Sequence, residues 1–473
     1  MASGTWSETN RPVRPGSYMN IRARALGSIQ SGTRGVVAIP VKANWGPVKE
    51  IAEITSESEL IATYGSDITD DFTAYECIRL ILLGSASKVL AYRLADSSAA
   101  KASVALSNGS IDTVKLETKY ETTRDFNVTV RDNLVDSNSK DIVLYEGNTQ
   151  LYVFTVSNTI SADEIVDFLN AEKENNWITA QKLADGTGLQ DVANISLANG
   201  DAGVSAITNA DYITATSAFE ANDFNEFTLD GAEDAALKTS VVAWINRLRT
   251  EGKMVQASLG GSLTEDTDIN NANTRSALYN HEAIKNVGVS AKLDGKLYSS
   301  AKVACFIAGL NAGQSLRESL TYAVTPFEDV SPRLTHNQVV SALQAGTIVL
   351  VHDGEKVVIE QGINTLTSLN GEQNNSFKKC KAVRVMDAIK TDTSSYDQDN
   401  IVGKLANNED GQAAFLSSRK QYFETLVQAG LINDFTVEVD QDKQTGANGD
   451  EFYWKWEATI VDMMEKIYGT GNV

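Results

Sequence analysis

Residues 35–47, which read GVVAIPVKANWGP, decide the fold together with the residues that follow them. The apolar run VVAI ends at a proline, a pattern typical of a short buried strand. Residues 55–65 (TSESELIATYG) begin with a helix-capping signature, and residues 72–84 (FTAYECIRLILLG) carry apolar side chains at helical spacing before a final glycine. Residues 88–95 (KVLAYRLA) predict a second strand. The strand–helix–helix–strand order predicts an α/β domain.

The next hundred residues, 97–196, have a different pattern. Short runs such as VTVRD, DIVLYEG and QLYVFTV are rich in β-branched and aromatic residues, and polar turns separate them. One helix is predicted at residues 161–172, with Ser161 as its N-cap. This stretch predicts a β-rich, sandwich-like domain inserted into the α/β domain.

The α/β pattern returns after the turn LANGDAG at residues 197–203. Residues 235–252 predict a helix with one apolar face, and residues 253–261 predict a strand that ends in glycines. Residues 299–313 predict an apolar helix. Residues 347–362 predict a hairpin that turns at an Asp-Gly pair.

A third pattern begins near residue 370. Residues 381–393 and 411–430 are amphipathic and predict two helices. Residues 434–439 and 451–462 predict two strands joined by a polar loop, and a polar tail follows. These elements predict a C-terminal α+β domain.

The charge of the chain is strongly acidic, with 62 acidic against 41 basic side chains and a net charge of −21. Such a surface repels nucleic acid and anionic membranes, so neither is expected as a main partner. The first 24 residues are an exception, since Arg11, Arg14, Arg22 and Arg24 stand against Glu8 alone. This basic end either pairs with a neighbouring copy of the chain or is a solvated tail.

The three cysteines, Cys77, Cys305 and Cys380, are far apart in the sequence, and the first two lie in apolar runs. Buried reduced thiols are the expectation, which suits assembly in a reducing cytoplasm. The N-terminus has no apolar signal core, and no stretch reaches the roughly 18 to 20 apolar residues of a membrane span.

Catalytic motifs are missing from the sequence: it contains no P-loop, nucleophile elbow, HExxH or GxGxxG pattern. Ser85 and Lys88 match SxxK without its partner motifs. The three histidines show no metal-ligand spacing. The loop 440–451 resembles a calcium loop, but Gly446 falls one position late. We therefore predict no catalytic residue, no cofactor and no metal site.

Several segments resemble contractile bacteriophage tail sheath proteins, and they do so in the family's order. They are RPGSYMNI (14–21), the Trp-Gly-Pro stretch quoted above, LANGDAG with ITNADYITATSAFEANDFNEFTL (207–229), the long section 319–368, and VRVMDAIKTD (383–392). The resemblance covers most of the chain and is weakest in the β-rich insert. At Asn199 a further glycine would be expected.

The resemblance implies an α/β sheath core, an outward-facing β-rich domain, a C-terminal α+β domain that faces an inner tube, and extended arms. The expected divisions are an N-terminal arm (1–18), the first part of the core (19–96), the inserted domain (97–196), the second part of the core (197–368), the C-terminal domain (369–463) and a C-terminal arm (464–473).

The resemblance also implies a structural function and no enzymatic one. Subunits of the family polymerise as stacked hexameric rings around the tail tube and contract to drive the tube through a cell envelope. The implied partners are other copies of the chain and the tail tube, baseplate and tail terminator proteins, without nucleic acid or membrane insertion. The implied location is a virion tail or phage-like particle, assembled in the host cytoplasm.

Two other functions remain open at this point. One is a cytoplasmic α/β enzyme or nucleotide-binding protein without a recognisable motif, which the α/β core permits. The other is a cell-surface adhesive protein, against which the helical content and the absence of a signal peptide argue.

Two groups of residues are candidates for assembly contacts in the C-terminal domain. Arg419 and Lys420 are expected to project from the helix 411–430 and, as the family implies, to touch the tube; alternatively they only solvate that helix. In the strand 451–462, Phe452, Trp454 and Trp456 alternate with polar residues. That face suits a strand donated by a neighbour, unless the strand pairs only within its own domain.

The two arms supply the remaining candidates. Tyr468 in the C-terminal arm and Arg11 and Arg14 in the N-terminal arm are expected to take part in strand addition between subunits.

Overall fold

A computed structural model describes residues 2–4, 16–18, 29, 32, 34–69 and 71–471. The chain divides into two compact units. The smaller unit contains Met1–Gly32 and Ala388–Val461, and the larger unit contains Thr33–Asp387 and Asp462–Val473. Arg11 and Arg14, the candidate residues of the N-terminal arm, lie outside the described residues.

The strands of the described chain are named in sequence order. They are β1 (Ala2–Gly4), β2 (Gly16–Tyr18), β3 (Val36–Val41), β4 (Ile51–Ile54), β5 (Lys88–Arg93), β6 (Ser103–Ser107), β7 (Asp112–Thr118), β8 (Phe126–Asp132), β9 (Ser139–Glu146), β10 (Thr149–Ser157), β11 (Ile178–Lys182), β12 (Val192–Ser196), β13 (Glu226–Thr228), β14 (Gln256–Leu259), β15 (Ile284–Asn286), β16 (Ser290–Leu293), β17 (Lys296–Tyr298), β18 (Asp329–Ser331), β19 (Leu350–His352), β20 (Val357–Ile359), β21 (Ile432–Val439) and β22 (Trp454–Ile460).

The α-helices are named in the same way. They are α1 (Glu57–Tyr64), α2 (Ala74–Leu83), α3 (Ala162–Ala171), α4 (Asn209–Phe219), α5 (Ala235–Thr250), α6 (Ile269–Tyr279), α7 (Ser300–Gly313), α8 (His336–Gln344), α9 (Cys380–Asn400), α10 (Glu409–Gln428) and α11 (Gln441–Gln444).

The larger unit is built on a six-stranded sheet of order β15-β14-β13-β3-β5-β4, parallel except for the pair β4–β5. Side chains of β3 alternate between its two faces, as a strand requires. Val37, Ile39 and Val41 join the core formed with α2 and α7, while Val36 and Ala38 join the core formed with α4 and α5. The α/β prediction is confirmed, since helices cover both faces.

Helices α2 and α7 pack unusually close together because α7 presents glycines to α2. A Cβ atom on Gly309 would collide with the carbonyl of Ile81, and one on Gly313 would collide with the carbonyl of Ser85. Two glycines four residues apart on one helix face therefore permit backbone contact. Cys77, Cys305 and Cys380 are buried, as the sequence predicts.

The β-rich stretch forms a sandwich of two antiparallel sheets, β10-β9-β8-β12 and β11-β7-β6. Their inner faces share one apolar core, to which Phe126, Ile142 and Leu169 belong. Helix α3 begins with a reciprocal capping box between Ser161 and Glu164. The sandwich and the Ser161 cap are both confirmed.

A polar network is buried beside β13, β14 and β15, which the sequence did not reveal. Glu226 accepts hydrogen bonds from Ser258 Oγ (2.8 Å) and Asn311 Nδ2 (2.9 Å), and it pairs with Lys285 Nζ at 3.0 Å. Lys285 also donates to Gln256 Oε1 (2.9 Å). Burial raises the pKa of Glu226, with Lys285 opposing the shift. The carboxylate and the ammonium each have several partners, which makes their burial tolerable, although Asn311 Oδ1 has no partner in the described chain.

The start of α9 is fixed to this network. Asp387 accepts both terminal nitrogens of Arg249 (2.8 and 2.9 Å) and Gln256 Nε2 (2.8 Å). Arg384 donates to four backbone carbonyls, those of Asn311, Gln314, Ser315 and Glu318. The first two turns of α9 are therefore held firmly within the larger unit.

The smaller unit contains an antiparallel hairpin, β21–β22, the helix α10 and the remainder of α9. Strands β1 and β2 pair with each other in parallel. The predicted helices and the two predicted strands are confirmed here. The loop between the strands differs in detail, because it contains the short helix α11.

Candidate assembly elements

The β21–β22 hairpin packs one face on α10 through aromatic rings. Phe415 lies 5.3 Å from Phe452 and 5.4 Å from Trp454 between ring centroids, and Phe423 lies 5.1 Å from Trp456. The alternation read from the sequence is therefore real, and its apolar face is occupied by the chain's own helix. What remains for a neighbour is the strand edge and not the ring face.

The two strands of this hairpin pair with each other and with no further strand of the described chain. Each strand consequently keeps one edge outside the ladder. Free edges present unpaired N–H and C=O groups, which is the feature that strand addition needs.

Arg419 does not project from α10, so the expectation of an exposed side chain is wrong. Its side chain is 0 % exposed and forms an ion pair with Asp397. The guanidinium lies 4.4 Å from the ring centroid of Phe415 and 5.4 Å from those of Tyr396 and Trp454. Residues from α9, α10 and β22 thus enclose one cation, which links the three elements.

The enclosure has an electrostatic consequence for the ion pair. Burial lowers the pKa of Arg419, and Asp397 opposes that shift. Burial likewise raises the pKa of Asp397 despite the nearby cation. Nε and Nη1 of Arg419 have no hydrogen-bond partner in the described chain. The side chain is therefore held by rings and one carboxylate, at a cost in unsatisfied donors.

Lys420, its neighbour, is exposed. It lines a groove of about 330 Å³ between α10 and β21, together with Leu416, Val437, Glu438 and Lys455. The groove lies at the hairpin that we consider for strand addition. Tube contact by Lys420 remains a prediction.

Tyr468 is 89 % exposed and belongs to a segment without regular structure. The residue that sequence reasoning missed in this segment is Glu465, whose carboxylate is bound within the larger unit. A short acidic and apolar run (DMMEKIY, 462–468) in an otherwise polar tail was the available signal.

Other sequence features have local structural roles. Asp440, the first residue of the calcium-like loop, caps α11 by accepting from Lys443 N. Across residues 34–69 and 71–471, no group of three or more His, Cys, Asp or Glu side chains is placed to bind a metal ion. None of the helices that the structure describes has the length and apolar character of a membrane span.

Known protein families match the chain along nearly its whole length, in consecutive blocks. Residues 34–94 match the tail sheath protein Gp18 domain III N-terminal region, 95–202 the phage tail sheath protein beta-sandwich domain, 205–365 the phage tail sheath protein central domain, and 372–473 the phage tail sheath C-terminal domain. YqbK of Bacillus subtilis is 30 % identical over 99 % of both chains.

The chain belongs to the phage tail sheath protein family. A second relative, the phage-like element PBSX protein XkdK of Bacillus subtilis, is 28 % identical over 99 % of both chains. The chain is thus a tail sheath subunit of a phage or phage-like particle. Its family is structural and not enzymatic, as the sequence predicts.

Solved sheath structures share the fold. The sheath tail protein of Desulfitobacterium hafniense is 26 % identical, with a TM-score of 0.73 over 94 % of this chain and 100 % of that one. The helical sheath of the anti-feeding prophage in its contracted state is 13 % identical, with a TM-score of 0.55 over 98 % of this chain and 99 % of that one. The second likeness shows the fold alone.

Proposed function

We propose that this sheath subunit assembles with copies of itself into stacked six-membered rings around a tail tube. Shortening of the assembled sheath then drives the tube through a target envelope. The energy is stored in the assembled state, so the subunit needs no nucleotide site, and its sequence has no such motif. Assembly takes place in the host cytoplasm, with tube, baseplate and tail terminator proteins as further partners.

The observation that carries this proposal is the β21–β22 hairpin with its two free edges. The rings of Phe452, Trp454 and Trp456 fix the hairpin on α10, so the edges are presented by a rigid support. An arm donated by another copy gains main-chain hydrogen bonds of about 0.5–1.5 kcal/mol each. Such bonds persist while whole subunits rotate, which contraction requires.

The arms are the proposed donors. Arg11 and Arg14 make the N-terminal arm basic, and Glu438, Asp440 and Asp442 stand at one end of the hairpin, where Glu438 pairs with Lys455 and Asp440 with Lys443. The arginines of a donated arm can replace these lysines as partners, which makes the encounter between two copies salt-dependent. Tyr468 belongs to the second donated arm.

The remaining assignments follow the divisions of the sequence. The sandwich region 97–196 faces outward, and the C-terminal domain, 369–463, faces the tube. With Arg419 buried, Lys420 is the remaining candidate tube contact on α10. An exposed ion pair is worth roughly 0.2–1 kcal/mol, a strength that holds many subunits together and still lets each release.

Electron microscopy of the purified chain, with and without its tube protein, tests the proposal. We expect hollow ribbed polymers or rings, whereas a chain that stays monomeric in both conditions contradicts it. Lys420→Glu should reduce extended sheath on tubes and leave tube-free polymer unchanged. Lys390→Glu is the matched control, because it makes the same charge change at an exposed lysine of α9 in the smaller unit, outside the hairpin.

A further inference from the structure

The segment that follows the hairpin returns from the smaller unit to the larger one. Val461 N still donates to Leu431 O, a contact within the smaller unit. From Asp462 onward the segment belongs to the larger unit and has no helix or strand up to residue 471. Its position is fixed by side chains.

Glu465 is the centre of that fixation. Its Oε1 accepts a hydrogen bond from Thr321 Oγ1 (2.8 Å), and its Oε2 accepts from Gln361 Nε2 (2.8 Å) and Lys379 Nζ (3.1 Å). The glutamate side chain is 11 % exposed. Lys379 also pairs with Asp462. We call Thr321, Gln361 and Lys379 the carboxylate socket.

A second contact orients one donor of the carboxylate socket toward Glu465. Thr321 Oγ1 accepts from Gly362 N at 2.9 Å, which orients its hydrogen toward Glu465. Partial burial lowers the pKa of Lys379, but the hydrogen bonds to Asp462 and Glu465 together raise its pKa overall. Three donors, of which only Lys379 is charged, converge on one carboxylate and bind it strongly and specifically.

The large apolar side chains near Glu465 are exposed, whereas its carboxylate is mostly buried. Met464, Ile467 and Tyr468 are 83, 81 and 89 % exposed. Residues 466–471 make no hydrogen bond or ion pair with the rest of the described chain. A buried carboxylate flanked by exposed large apolar side chains reverses the usual pattern. The apolar side chains are therefore available for a partner, while the acid is already bound.

We propose that Glu465 is a fixed anchor that divides the C-terminal segment. Asp462–Glu465 stays with its own subunit, and only the chain from Lys466 is donated, with a second copy of this protein as its acceptor. The inference rests on the strand donation proposed above. Residues 466–473 number eight, one more than the seven residues of β22, so the donated segment is long enough to pair along the whole strand.

An anchor close to the donated residues favours assembly for a physical reason. As long as it can still reach a neighbouring hairpin, a shorter free arm samples a smaller volume, so its effective concentration there is higher. It also loses less conformational entropy when it pairs. The anchor places the start of the arm in every subunit at the same point of the larger unit.

A covalent cross-link between the C-terminal segment and its own subunit tests whether Glu465 stays bound during assembly. Lys381 Nζ and Met463 Sδ lie 3.3 Å apart beside the socket, without contributing to it. The full-length double variant Lys381→Cys/Met463→Cys is cross-linked with a short bismaleimide and then induced to polymerise. The single variants, treated identically, are the controls. Cys77, Cys305 and Cys380 are buried and should not react.

The proposal predicts that the locked chain polymerises like the unlocked one, seen by sedimentation and electron microscopy. Loss of polymer only after locking overturns it, because the segment before Lys466 would then have to leave its subunit. If wild type and unlocked variant also fail to polymerise with tube protein present, the proposed function itself is contradicted.

Two further variants keep the inference testable if the cysteine pair folds poorly. A chain that ends at Glu465 should keep the melting temperature of the full chain and lose polymerisation; normal polymers from it contradict the assignment of the donated part. Glu465→Ala should lose the cross-link between positions 381 and 463, whereas an unchanged cross-linking yield shows that Glu465 is not the anchor.

Discussion

Replacing Arg419 by methionine should loosen the hairpin that we propose as the strand acceptor. The substitution removes a fully buried cation and leaves Asp397, which is 29 % exposed, without its partner. It also removes the cationic contacts to Phe415, Tyr396 and Trp454. The unbranched methionine side chain keeps much of the apolar packing, so the effect should report on the charge.

The expected loss of stability is the sum of two costs and one opposing gain. Breaking a fully buried ion pair costs about 3–5 kcal/mol, and the partial exposure of Asp397 reduces that figure. Losing cation–π contacts adds roughly 0.5–2 kcal/mol. Removing the unpaired donors Nε and Nη1 returns about 1–3 kcal/mol. We expect a net loss of about 2 kcal/mol, equivalent to roughly 30-fold more frequent opening.

Native-state hydrogen exchange with mass spectrometry measures this opening in peptides from α10 and β22. Lys420→Met is the matched control, since it removes the adjacent but exposed charge and should shift stability by no more than about 0.5 kcal/mol. The double variant Arg419→Met/Asp397→Asn should recover part of the loss. Equal exchange in Arg419→Met and Lys420→Met would refute the role assigned to the buried cation.

Three other outcomes are expected. Burial raises the pKa of Glu76, but hydrogen bonds from two lysines lower its pKa overall. The ionised carboxylate therefore stabilises the fold above about pH 4.5, and this stabilisation is lost as the pH falls through the lowered pKa of the folded chain. Glu76→Gln should make the melting temperature less dependent on pH in this acidic range. Gly309→Ala should destabilise the larger unit by at least about 2 kcal/mol in urea melts, while Gly449→Ala, which meets nothing within 4 Å, should stay within about 0.5 kcal/mol. Replacing residues 97–196 by a short linker should leave sheaths that assemble and contract under the microscope, and a folded truncation that never assembles contradicts this.

The sequence was informative wherever one local rule decided the outcome. The apolar run of β3 that ends at a proline, the cap of α3 at Ser161 and the amphipathic face of α10 each follow from a pattern within a few residues. The order of such segments along the chain also identified the family. Local patterns carried this information because hydrogen bonding and side-chain direction within one element repeat with a fixed period.

Adjacent residues show the limit of that reasoning. Arg419 and Lys420 are alike in the sequence, and successive side chains on a helix point in different directions. One therefore meets Trp454 and Asp397, while the other meets water. The helical period predicts that the two side chains point in different directions, but only the position of the distant hairpin decides which side chain is buried.

The sequence by itself determined the strand–helix–helix–strand order of residues 35–95, the sandwich insert, the two helices and hairpin of the C-terminal region, and the family. Tertiary structure decided which charges are used inside the molecule: Arg419 among aromatic rings, Glu226 beside Lys285, and Glu465 in a socket built from residues up to 144 positions away in the chain. Burying a charge is favourable only when partners converge on it from several elements. That convergence is a property of the folded chain and of no single segment.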